Sequence, residues 1–163
     1  MKDITTSTFQ GESGKMKVLF LCTGNTCRSP MAEAYFRALT ARSGTSGLEC
    51  GSAGICASQD SPASRNAVAV MKTYGIDLSS HRSRLFSETL AKDADLIVAM
   101  TSGHLSSALA LFPEISGKIR TLAPSGDIAD PFGGDEKVYQ ACFEEMKGHL
   151  ENLFLDLISH KNK

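Results

Sequence analysis

Between Cys22 and Ser29 the chain reads CTGNTCRS, so a cysteine and an arginine stand six positions apart directly after the apolar run Val18, Leu19, Phe20, Leu21. A thiol and a guanidinium at this spacing could carry out covalent phosphoryl transfer. The five intervening residues can wrap into a tight loop whose backbone N–H groups converge on a tetrahedral anion, with Gly24 expected to supply the unusual backbone angles of such a nest. A helix N-terminus, converging amides and a nearby arginine all favour the thiolate, which is the nucleophilic form of cysteine. Arg28 would offer a planar fork matched to two phosphate oxygens, and it stays charged throughout a reaction. The loop as a whole, Thr23, Gly24, Asn25, Thr26, Cys27, Arg28 and Ser29, is the expected phosphate-binding segment.

Displacement at phosphorus also requires a proton for the leaving group, and hence a carboxylic acid at the mouth of the loop. Asp130 is the leading candidate. It opens the string DPFGG, Asp130 to Gly134, between the last expected strand and the last expected helix. Taken alone, an Asp-Pro-x-Gly string reads as a turn; beside CTGNTCRS it reads as the carrier of the acid. Arg28 and the loop amides would stabilise the equatorial oxygens of the transition state, so the chemistry calls for no metal and no cofactor. Cys50 and Cys56 lack the paired short spacing of a closed zinc site.

These groups need a frame. Strands are expected over Lys17 to Cys22, Leu48 to Ser52, Leu96 to Met100 and Ile119 to Leu122, alternating with helical patterns near residues 30–42, 62–75, 102–111 and 135–159. That alternation implies an α/β fold, a four-stranded parallel sheet with helices on both faces, which makes three layers. Ligands of such sheets bind beyond the carboxyl ends of the strands, where Cys22 falls. After the loop, Ser29 reads as an N-cap and Pro30 as the first helical residue, and Met31, Ala34, Tyr35, Ala38 and Leu39 form a buried stripe. In the last segment Val138, Cys142, Met146, Leu150, Leu153, Leu157 and Ile158 keep a helical period, which predicts a long C-terminal helix packed on the sheet.

With 163 residues, 42% hydrophobic and 21% charged, the chain suits one domain over residues 16 to 160. Residues 1 to 15 are polar, rich in Thr, Ser and Gly, and are expected to be a disordered extension without the apolar core of a signal peptide. A formal net charge of −1 gives no general attraction to nucleic acid or an anionic membrane, and no stretch is long enough to span a bilayer. Five cysteines, an odd count, together with the need for a free Cys22, favour a reducing compartment and a cytoplasmic protein. A small monomer is the expected assembly.

On CTGNTCRS and the later Asp-Pro pair, the chain resembles the low-molecular-weight protein phosphatase family from about residue 16 to residue 160. The resemblance implies that Cys22 attacks phosphorus, Arg28 binds the phosphoryl oxygens, Ser29 stabilises the thiolate, Asn25 braces the loop and Asp130 is the general acid. It also implies supporting hydrogen bonds from Ser52 and His81 to the loop asparagine, phosphorylated proteins as substrates, and a reversible disulfide between Cys22 and Cys27. Members acting on phosphotyrosine usually carry an aliphatic residue where Thr26 stands and further aromatic residues after the Asp-Pro pair. Here Phe132 is followed by Gly133 and Gly134, and there is no Trp. These departures resemble the branch that acts on phosphoarginine. A planar guanidinium offers N–H groups to Asp130, and the stiff hydroxyl-bearing Thr26 can orient groups or crowd out an aryl ring. A low-molecular-weight protein-tyrosine phosphatase is the alternative. A reductase relaying electrons through further cysteines is disfavoured, because none lies between Cys56 and Cys142.

Overall fold

In the computed structural model, which describes residues 14–161, the apolar run before the loop forms β1 (Met16–Cys22). Its residues are buried on both faces, the mark of a central parallel strand. It pairs with β2 (Leu48–Gly54) on one side and β3 (Leu96–Ala99) on the other, with β4 (Ile119–Thr121) beyond β3. The order is therefore β2-β1-β3-β4, all parallel, the four-stranded α/β sheet expected from the alternation. The expected extension over residues 1 to 15 lies, for residues 1–13, outside the described residues.

Period-two alternation along β1 divides the core between two faces. Met16, Val18, Phe20 and Cys22 share one apolar cluster with α1 (Arg28–Ser43), α2 (Arg65–Thr73) and α5 (Glu136–Lys161). Leu19 and Leu21 point the other way, into a smaller cluster with α3 (Glu88–Asp93), α4 (Ser102–Leu111) and a 3₁₀ turn at Pro113–Gly117. Neither α3 nor the 3₁₀ turn was expected. Both are too short for apolar periodicity to show, and α3 is held at its start by Ser87, whose side chain accepts from Leu90 N.

The C-terminal helix is where expected but is not seated directly on the sheet. It packs mainly across α1 and α2, and the edge-on ring pairs Phe20–Phe36 at 5.6 Å and Phe36–Phe154 at 5.8 Å run from sheet through α1 to α5. Val138, counted in the expected stripe, is exposed; Tyr139 and Phe143 are buried there instead. Tyr139, in the same first turn of α5, takes the packed position. No helix of the described residues is long and apolar enough to cross a membrane.

Candidate active site

Cys22 ends β1 between two neighbouring strands, at the carboxyl edge of the sheet, and Arg28 begins α1 six residues later. The connecting loop is tied down through its carbonyls. Cys22 O accepts from Ile55 N at 2.9 Å, Thr23 O from Cys56 N at 2.9 Å and Thr26 O from Ser64 N at 2.8 Å. The amide N–H groups of Gly24, Asn25, Thr26, Cys27 and Arg28, by contrast, have no acceptor among the described residues. Buried backbone donors are otherwise almost always paired, so a run of free amides at a helix N-terminus is an anion-binding nest.

The unusual backbone angle falls on Asn25 rather than on Gly24: Asn25 has φ 56°, while Gly24 is outside the left-handed region. Asparagine tolerates that region, and here its side chain is used in full. Asn25 Nδ2 donates to Ser29 Oγ at 2.8 Å and to Ser52 Oγ at 2.9 Å, and Oδ1 accepts from Arg84 N at 3.0 Å. His81 Nε2 lies 2.7 Å from Asn25 O, so that nitrogen carries the proton. Ser52 in turn donates to Glu33 Oε1 at 2.9 Å. Gly54 is the glycine the loop does require. A Cβ there would sit 2.5 Å from Thr23 O and 2.9 Å from Asn25 N, both backbone atoms. Its signal in the sequence was the second glycine of Gly-Ser-Ala-Gly, which was not singled out.

Ser29 is not the N-cap of α1. The helix starts two residues earlier than such a cap would place it, at Arg28 after Cys27, with no side-chain cap bond. The hydroxyl is committed elsewhere, 2.9 Å from Cys22 Sγ and accepting from Asn25 Nδ2. Because its oxygen already accepts there, its own proton turns to the sulfur, so the Ser29 hydroxyl donates to Cys22 Sγ. Pro30, at the third helical position, still falls among residues whose N–H has no partner within the helix.

Arg28 is buried, with Nη1 donating to Ile128 O at 2.8 Å and Nη2 lying 3.7 Å from Asp130 Oδ2. The side chain of Asp130 is 55% exposed, so that pair sits at the edge of solvent. Its Oδ1 accepts from Phe132 N at 3.0 Å, closing the turn over Pro131. Phe132 is the most exposed large apolar residue among the described ones, at 80%, on the rim of the site. Thiol, guanidinium and carboxylate are thereby brought to one edge of the sheet, with Thr26 half-buried in the loop.

All five cysteines are free thiols. Burial pushes Cys50 and Cys142 up to about 12, so neither ionises near neutrality. Cys27 lies 3.1 Å from Tyr139 Oη and 3.6 Å from Ser64 Oγ. Burial, and then the bond to Cys27, push the Tyr139 phenol up to about 12, so it is present as the hydroxyl. Neither Tyr139 nor His104, whose Nε2 is 2.8 Å from Thr23 Oγ1, was a candidate from sequence. For His104 the available signal was its place just after β3, the strand next to β1.

A parallel sheet covered by helices on both faces, with a thiol and an arginine on one anion-binding loop and a carboxylate over it, defines a cysteine-dependent phosphatase. Comparison with known proteins agrees: residues 17–163 match the family model of the low molecular weight phosphotyrosine protein phosphatases, and the chain belongs to that family. Among curated relatives, a protein-arginine-phosphatase of Geobacillus stearothermophilus is 42% identical over 84% of this chain and 93% of its own length. Among solved structures, a low molecular weight protein tyrosine phosphatase from T. tengcongensis is 43% identical, with a TM-score of 0.83, covering 87% of this chain and 99% of that one. A mutant of the YwlE arginine phosphatase with a phosphorylated active-site serine is 37% identical, with a TM-score of 0.84, covering 87% of this chain and 95% of that one.

Proposed function

We propose that this phosphatase hydrolyses phosphoarginine on proteins through a phosphocysteine intermediate. The observation that carries the reading is the convergence of Cys22, the free loop amides and Arg28, with the Asp130 carboxylate 3.7 Å from the guanidinium. In the first step Cys22 Sγ forms a bond to phosphorus as the N–P bond breaks, and protonated Asp130 delivers its proton to the departing guanidine nitrogen. In the second, Asp130 as carboxylate takes a proton from water; the water oxygen bonds to phosphorus, the S–P bond breaks, and inorganic phosphate leaves. Ser29 supports the thiolate in both steps by donating its hydroxyl proton, and Arg28 and the amides hold the equatorial oxygens.

The arginine preference is supported by Thr26, a polar β-branched residue in the loop, by the absence of Trp from the chain, and by the arginine-phosphatase relatives. Phe132 would flank the substrate on the rim, and Ser52 and His81 would hold the loop through Asn25. The domain spanning residues 16 to 160 would act as a monomer in the cytoplasm, where Cys22 stays reduced, with residues 1 to 15 as an extension.

The test is turnover of phosphoarginine, phosphotyrosine and phosphoserine peptides at matched concentrations, with Cys22→Ser as the blank and Thr26→Ile as the specificity variant. A phosphoarginine preference eroded in Thr26→Ile supports the proposal. A phosphotyrosine preference untouched by that change refutes it and makes the chain a tyrosine phosphatase, the reading that the T. tengcongensis relative favours.

A further inference from the structure

His104 is a buried imidazole, 8% exposed, that no step above uses. It is fixed from two directions. Its backbone N–H donates to Thr101 Oγ1 at 3.0 Å in the cap of α4, and the first residue of that helix is tied to the acid-bearing loop, Ser102 N donating to Asp127 Oδ1 at 2.8 Å. Its Nε2 reaches across to Thr23 Oγ1 at 2.8 Å, in the phosphate loop next to Cys22, while Nδ1 is buried with no hydrogen-bond partner. Arg28, Asp130 and Asp127 all lie close enough for their charges to act on the ring.

The orphaned Nδ1 decides which way the bond to Thr23 runs. A buried N–H without an acceptor is rarer and costlier than a bare lone pair, so the proton belongs on Nε2 and the Thr23 oxygen accepts it. A doubly protonated ring is excluded near neutrality, since burial, reinforced by Arg28 and opposed by Asp130 and Asp127, lowers its pKa to about 4. The Thr23 hydroxyl then keeps its own proton and one lone pair. Thr23 is exposed at the mouth of the loop, and its Oγ1 has no other partner among the described residues.

We propose that His104 is a positioning residue that, through Nε2–H, holds the Thr23 hydroxyl with one donor and one acceptor turned toward a phosphorylated guanidino group. The inference rests on the phosphoarginine reading. A phosphoguanidino group carries phosphoryl oxygens that accept and an N–H that donates on atoms bonded to the same phosphorus, and so can use both halves of the hydroxyl. An aryl phosphate has no such donor and can use only the proton.

The experiment measures kcat/KM on phosphoarginine and phosphotyrosine peptides for Thr23→Val, which keeps the shape and removes the hydroxyl, Thr23→Ser, His104→Leu and the Thr23→Val, His104→Leu pair, with thermal unfolding of each. On phosphoarginine, Thr23→Val and His104→Leu should each lose about tenfold, the size of two modest hydrogen bonds. The double variant should lose no more than either single, Thr23→Ser should recover most of the loss, and the loss on phosphotyrosine should be about threefold or less. Equal losses on both substrates, full additivity of the pair, or an unchanged His104→Leu would overturn the proposal. Should His104→Leu fail to fold, Thr23→Val against Thr23→Ser still decides it. The parent reading fails separately: wild-type enzyme that does not turn over phosphoarginine ends both, whereas a wild-type phosphoarginine preference with equal losses ends only this one.

Discussion

Replacing Asn25 with alanine removes three side-chain hydrogen bonds, those to Ser29, to Ser52 and from Arg84 N, and leaves a residue with a Cβ at φ 56°. Each buried bond contributes about 0.5–1.5 kcal/mol, and the left-handed conformation costs roughly 1–2 kcal/mol for an ordinary residue. Asn25→Ala should therefore lose about 2.5–6.5 kcal/mol, a large share of the roughly 5–15 kcal/mol of a domain. Asn25→Gly separates the two parts, because glycine adopts the angle freely while losing the same bonds, and should recover about 1 kcal/mol of the loss. Urea denaturation at constant slope gives both numbers. Activity should fall further than stability implies. Without the Asn25 donor nothing directs the Ser29 proton to Cys22 Sγ, and losing one hydrogen bond to a charged group lowers kcat/KM by about 10–100-fold under conditions where the variant is folded. An Asn25→Ala enzyme within 1 kcal/mol of wild type and within about twofold of its activity would refute the view that Asn25 holds the loop.

Gly54→Ala should destabilise at or beyond the upper end of the about 1–3 kcal/mol typical of overpacking, because the added Cβ meets the backbone of Thr23 and Asn25 at 2.5 and 2.9 Å. Gly24→Ala, whose Cβ would meet only Thr26 Oγ1 at 3.7 Å, should leave the melting temperature nearly unchanged; equal losses for the two would contradict the geometry. Asp130→Ala should slow kcat by about 10²–10⁴ with little change in stability, measured by steady-state turnover and melting, since its carboxylate is half exposed. The folded His104 holds its pKa near 4 against 6.5 for a free imidazole, so between those values the unfolded chain takes up a proton that the folded chain refuses. Stability should therefore decline as pH falls from about 6.5 to about 4, and urea midpoints of wild type and His104→Leu should converge over that interval; parallel curves would show that His104 does not contribute.

The sequence alone determined the sheet and the chemistry. Four apolar runs, each short and flanked by helical periods, could bury both their faces only as parallel strands covered on two sides, and CTGNTCRS could follow β1 only into a loop closed by a helix. Local spacing carries that information, which is why the loop from Cys22 to Ser29 and the turn at Asp130 could be placed at the carboxyl edge of the sheet from the sequence alone. What the tertiary structure alone decided are the pairings made when the loop closes against its neighbouring elements. Ser29 reads as a helix cap from its neighbours, yet it is drawn to Cys22 and Asn25 because the folded loop places them 2.9 and 2.8 Å away. Gly24 looked like the residue of unusual conformation, but that angle moved to Asn25, whose side chain is held by Ser52 and Arg84 from β2 and the segment after α2. Gly54 and His104 owe their roles to distant partners: one is required by the backbone of a loop some thirty residues earlier and the other meets Thr23 across 81 positions. Helix and strand periods are set within a few residues, whereas hydrogen-bond partners and steric limits at a strand edge are set by which elements the sheet brings side by side.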